Sequence, residues 1–132
     1  MADPVGVQFE VHIIGDETGE LFPGKFRAKE KLSWNDQLNI DRMRRELLGV
    51  NAAEALADVY QRATIIAELS ARLTEFPDFW KNSRGGLDLV DDNVVLEVYK
   101  AAQDIREKWL AAQKEKGEVA KKKLTEKQGG AK

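Results

Sequence analysis

Val7, Phe9, Val11 and Ile13 alternate with Gln8, Glu10 and His12, the period of two expected of a strand with one buried face. The turn-rich stretch from Gly15 to Glu20 follows. A second alternation then sets Phe22, Gly24, Phe26 and Ala28 against Pro23, Lys25, Arg27 and Lys29. Together they predict an antiparallel hairpin over 7–29, with Glu10 facing the cationic row of strand two. Pro23 cannot donate to a ladder, so strand two is expected to have a free edge near its start. A two-stranded hairpin is marginal alone in water and must pack on something.

Beyond residue 30 the apolar period lengthens to that of helices. Ser33 is placed as an N-cap with Asp36 three residues on, and Gly49 as the closing glycine, predicting a helix over about 34–48. Its pairs Asp41–Arg45 and Arg42–Glu46 have favourable spacing, and Trp34, Leu38, Met43 and Leu47 are expected to point inward. Asn51 with Glu54 opens a second helix, about 52–76, stopped by Pro77. The neighbouring Ile65 and Ile66 imply contact on more than one of its sides. Residues 77–86 read as a loop, with room for one helical turn, that sets Phe79 and Trp80 beside Gly85-Gly86. Asp91 and Asp92 cap a third helix over about 92–112, whose stripe of Val94, Val95, Val98, Ala102, Ile105 and Trp109 fades after Ala112.

The chain therefore reads as mainly α within the α+β class, a single domain over 1–112 in which the N-terminal hairpin packs on a three-helix body. A lysine-rich tail, helical or disordered, occupies 113–132. Charge sharpens this division. Residues 114–132 hold seven lysines against three glutamates, a charge of +4 that leaves −6 on the remainder. Such a tail can attract its own body, a neighbouring copy or an anionic partner.

The chemistry of a catalytic centre has little material to draw on. The chain has no cysteine and one histidine, His12, on the polar side of strand one with no nucleophile tied to it. The oxygen-rich group Asp88, Asp91, Asp92 and Asn93 lacks the spacing of an EF-hand loop, and helix capping accounts for the same acids. The glycines match neither a P-loop nor a dinucleotide fingerprint. Nucleic-acid binding is disfavoured by a pI near 5.5, although Arg42, Arg44, Arg45 and the tail lysines are basic clusters. We therefore expect no enzyme activity, no cofactor and no metal. Nothing approaches the apolar length of a membrane span, and the expected setting is a reducing cytosol.

Surfaces remain. Candidate protein-binding residues are Lys25, Phe26 and Arg27 on the edge of strand two, Phe79 and Trp80 in the loop, Trp109, and Lys121, Lys122 and Lys123 in the tail. For the aromatic pair, core packing is the competing reading.

Several segments also share a pattern: Gly19-Glu20-Leu21-Phe22-Pro23-Gly24-Lys25-Phe26, Leu32-Ser33-Trp34-Asn35-Asp36-Gln37-Leu38, Asp41 through Gly49, Phe76-Pro77-Asp78-Phe79-Trp80, and Gly85 through Val95. Over residues 7 to 110 the chain resembles a group of small proteins of tailed bacteriophages and prophages, some regarded as tail assembly proteins or chaperones. The resemblance implies a role in virion morphogenesis in the cytoplasm of a bacterial host. The implied partners are phage structural proteins such as the tail tube or tape measure, with self-association as a further option. A minor structural component at the head, neck or tail of the virion is the alternative. A host-type regulatory module is the third reading.

Overall fold

A computed structural model describes residues 5–49 and 54–129. The elements run β1 (Val7–Ile14), β2 (Leu21–Ala28), α1 (Trp34–Leu48), α2 (Ala57–Arg72), β3 (Leu73–Glu75), α3 (Asp78–Asn82) and α4 (Asp92–Gly129). This is a mainly-α α+β fold, as expected. In the hairpin Glu10 lies opposite Lys25 and Gln8 opposite Arg27, facing the cationic row as expected, and Phe9 lies opposite Phe26.

The helix predicted over 52–76 is the largest correction. Its proposed cap, Asn51, lies outside the described residues, and α2 opens at Ala57. It ends at Arg72, whose carbonyl accepts from Lys29 N–H at 2.9 Å. The chain then continues as β3, which pairs antiparallel with β2 through Arg27–Glu75 and Ala28–Leu73. The sheet thus has three strands in the order β1-β2-β3; β3 pairs only with the end of β2, so among the described residues the start of β2 around Pro23 has no strand partner on that side, as expected. Near Pro23 the flank of β2 is taken by the next segment instead. A Cβ on Gly24 would lie 2.5 Å from Pro77 and 3.2 Å from Phe79.

The core lies between the sheet, α2 and α4. Phe26, Ala28, Leu69, Val94, Val98 and Ala102 are fully buried, and Val11, Ile13 and Phe22 close its outer side. Val7, expected in that row, is exposed at the end of the strand. Phe26 stacks on Phe9 and meets Phe79 and Trp80 edge-on, at centroid distances of 5.3, 6.0 and 5.6 Å. The aromatic pair of the 77–86 segment is therefore part of the packing, with Trp80 at 2% exposure.

At the start of α1 the capping box forms as read. Asp36 N–H donates to Ser33 Oγ, and Ser33 N–H donates to the Asp36 carboxylate. These bonds, with Lys29 at 2.9 Å, hold the Asp36 carboxyl below its ordinary pKa. The inward face differs from expectation: Ile40, Met43 and Leu47 pack, whereas Trp34 is 75% exposed and Leu38 also faces out. Packing on α2 selects one stripe, and Trp34 and Leu38 sit on the opposite one. Asp41 pairs with Arg45 and also with Arg44. Arg42 donates to Asn39 rather than to Glu46.

α4 continues past residue 112 without a break, so the lysine-rich stretch is helical through Gly129. Residues 114–126 are exposed throughout.

Candidate protein-binding groove

Two clefts, of about 310 and 360 Å³, meet at Ile66 on α2. Val59, Ala63, Ile66, Leu69 and Leu73 recur at helical spacing along their floor. From Val59 to Leu73 this is a run of about 20 Å at the rise of a helix. Met43 and Leu47 of α1 form one wall. The other is Trp80 with the segment from Lys81 to Leu87. Val59, Phe76 and Leu87 are each more than two-fifths exposed at the rim. The lining is mainly apolar, with Lys81, Arg84, Arg62 and Asp92 at the edges. Such a trough suits an amphipathic segment that buries one face and leaves the other wet.

The wall beside Trp80 is held in an unusual backbone. Arg84, Gly85 and Gly86 have φ of 55°, 70° and 94° in succession. Only the glycines adopt this region freely, so Arg84 carries local strain. Two bonds of 2.8 Å from its guanidinium to Asp88 fix it there. The same pairing lowers the Asp88 pKa and raises that of Arg84. Ser83 Oγ donates to Trp80 O and accepts from Gly86 N–H, closing the loop over the indole. A Cβ on Gly86 would lie 3.0 Å from the Trp80 ring and 3.3 Å from Ile66. Gly86 is thus fitted closely against the core, whereas a Cβ on Gly85 would meet only Trp80 Nε1 at 3.8 Å.

The oxygen-rich group of the sequence is dispersed into structural roles. Asp91, read as a helix cap, is buried, and its carboxylate holds the β1–β2 turn. Glu17 and Thr18 N–H donate to it at 2.7 and 2.9 Å, and Thr18 Oγ1 at 2.7 Å. Those bonds, led by the Thr18 hydroxyl, lower its pKa. Gly15 is required here, since any Cβ would collide with that carboxylate. Asn93 completes the clasp, accepting from Asp16 N–H and donating to Ile14 O. Asp92 pairs with Arg62 and Asp88 with Arg84. Among the described residues no group of three or more His, Asp or Glu side chains is placed to hold a metal ion.

A second polar knot ties the other end of the body. Arg72 is fully buried and donates to Lys29 O at 3.2 Å, Ala102 O at 2.6 Å and Gln103 Oε1 at 2.6 Å. Burial lowers its pKa, opposed by the Glu68 charge. Tyr99 is pushed up to about 12 by burial and by its hydrogen bond with Glu68. The knot fastens α2, α4 and the β2–α1 connection to one another.

The residues nominated from sequence are not brought together. Phe26 is fully buried beneath the sheet, so it offers no docking surface. Arg27 is engaged with Glu75 and Gly6 O. Lys25 is exposed on the outer sheet face. Phe79 packs against Phe22 at 5.2 Å, and Trp80 belongs to the core and lines the groove from beneath. Trp109 is half-buried, and Lys121, Lys122 and Lys123 are exposed on distal α4. The groove's own lining, Met43, Ile66, Leu69 and Leu87, was not nominated. Its one legible signal was the adjacent pair Ile65-Ile66.

Compared with protein-family models, curated proteins and solved structures, the chain matches none of them. Among the described residues no helix is long and apolar enough to cross a membrane.

Proposed function

We propose that this chain is a non-enzymatic virion-morphogenesis protein of tailed bacteriophages. It acts as a tail assembly chaperone that holds an amphipathic segment of an unassembled tail subunit along α2. The apolar cleft along α2, with Val59, Phe76 and Leu87 exposed at its rim, is the observation that carries this reading, because a helper of this kind needs surface that a partner can cover and later release. The resemblance across residues 7 to 110 supplies the setting. Tail tube and tape measure proteins are the candidate clients, and the host cytoplasm is the site of action.

Co-expression of the full chain with each tail protein tests it. The client should co-purify with the wild type, and Val59→Glu or Leu87→Glu at the exposed rim should reduce capture at least about tenfold, the effect of burying an unpaired charge. Undiminished capture by both variants would remove the groove from the reading. Mass spectrometry of purified particles tests the role itself, since a chaperone is absent from the virion and stoichiometric presence would overturn it.

One observation favours the alternative of a minor virion component. β1 presents its outer edge without a strand partner among the described residues, a feature suited to strand addition by a neighbouring subunit.

A further inference from the structure

We propose that the chain pairs with a second copy of itself through α4, the two helices running antiparallel. The lysine-rich distal half of each then lies along the acidic proximal half of the other. This inference is independent of the proposed function.

Charge along α4 is ordered rather than mixed. Residues 92–107 carry Asp92, Glu97, Asp104 and Glu107 against Lys100 and Arg106, a charge of −2. Residues 108–129 carry seven lysines against three glutamates, a charge of +4. The four proximal carboxylates are exposed, as are Lys114, Lys116, Lys121, Lys122 and Lys123. The helix macrodipole explains acids at a start and bases at an end, but it acts only within the first and last turn. Here the lysines extend over about four turns, so the dipole does not account for them.

Stability points the same way. From 114 to 126 every side chain is exposed, so this extension of α4 is held only by continuity with the packed proximal half and has no tertiary packing of its own. Pairs such as Glu118–Lys122 add only a few tenths of a kcal/mol. Leu110 and Leu124, about four turns apart and so on nearly the same face of the helix, are each more than two-fifths exposed and would gain cover from a neighbour.

The choice of occupant follows from complementarity. A parallel pair would set +4 against +4 and align the dipoles. An antiparallel pair sets +4 against −2 twice, opposes the dipoles and closes on a two-fold axis. The proximal acids have local partners, Arg62, Lys100 and Lys108, at 2.7, 3.5 and 2.9 Å. The acids of these pairs are more than half exposed, so the pairs are weak enough to be exchanged.

Sedimentation velocity on the full chain tests the pairing. At about 0.05 M NaCl a dimer is expected, and at about 0.5 M its dissociation constant should rise at least about tenfold as the charges are screened. Two reversal variants then decide the arrangement. The distal variant carries Lys116→Glu, Lys121→Glu, Lys122→Glu and Lys123→Glu; the proximal one carries Glu97→Lys, Asp104→Lys and Glu107→Lys. Each alone should be monomeric with wild-type helix content by circular dichroism, and an equimolar mixture of the two should form a heterodimer. A wild type that stays monomeric at sub-millimolar concentration in low salt overturns the proposal. So does a dimer unmoved by either variant, or a mixture that remains monomeric.

Discussion

Removing the Arg72 guanidinium should be among the most damaging single changes in this protein, although it leaves the apolar core untouched. Arg72 donates three hydrogen bonds into a region where it is fully buried. Charge-assisted bonds contribute about 1.5–3 kcal/mol each in net terms, but such contributions do not add. Arg72→Met retains a long apolar stem yet leaves the acceptors on Lys29, Ala102 and Gln103 without their donor. Breaking a buried charged network from one side costs about 3–5 kcal/mol. At about 2.1 cal/mol/K per residue, the 132 residues give an unfolding entropy of about 0.28 kcal/mol/K. The expected fall in Tm is therefore about 11–18 °C. Arg72→Lys keeps the charge but cannot reach acceptors in three directions with one compact ammonium, so it should recover less than half of the loss. Urea unfolding followed by circular dichroism, with thermal melts alongside, gives both numbers. If Arg72→Met changes stability by less than about 1 kcal/mol, the knot is not a fastening and the stem alone explains its burial.

Gly86→Ala should destabilise by about 2 kcal/mol, since it combines a strained left-handed backbone with pressure on Trp80; a red-shifted tryptophan emission with a lowered Tm is the expected signature. Asp91 predicts an acid limb in the stability profile. Its folded pKa is depressed, so its contribution is present above the ordinary carboxylate pKa and lost as pH falls through the folded value. Melts between pH 6 and pH 3 should show Thr18→Val flattening that limb, and an unchanged slope would dissociate the clasp from acid sensitivity. On distal α4, Gly117 is helical with open space around it. Gly117→Ala should therefore stabilise the segment by about 1 kcal/mol and slow its amide exchange about fivefold; exchange no slower than in the wild type would contradict a helix there.

What the sequence made legible was local. The alternation of β1 and β2, the Ser33–Asp36 box and the stripe of α4 each depend on residues a few positions apart. The end of α2 did not, because Arg72 O is taken by an N–H 43 residues earlier in the chain. Apolar residues on both sides of that junction masked the change of period from helix to strand. Asp91 illustrates a second kind of miss: an acid before a helix reads as a cap, and only the folded chain brings it to Thr18, 73 residues away. Trp34 and Leu38 show a third. A helix with apolar residues on two faces does not declare which face α2 will cover.

The same distinction explains why the groove was illegible while its supports were not. Each wall belongs to a different stretch of chain, α1, α2 and the Trp80–Leu87 segment. No run of residues contains the site. Its supports, however, include features that the sequence displays openly: Gly86 fitted against Trp80, and the exposed ion pairs of Asp88 with Arg84 and Asp92 with Arg62 at the rim. Polar groups that looked like candidate ligands, Asp88 and Asp92, are paired at the edges of this trough, and a preformed trough lowers the ordering cost of binding. Under the proposed function, a partner held along α2 would gain chiefly from the exposed apolar rim of Val59, Phe76 and Leu87.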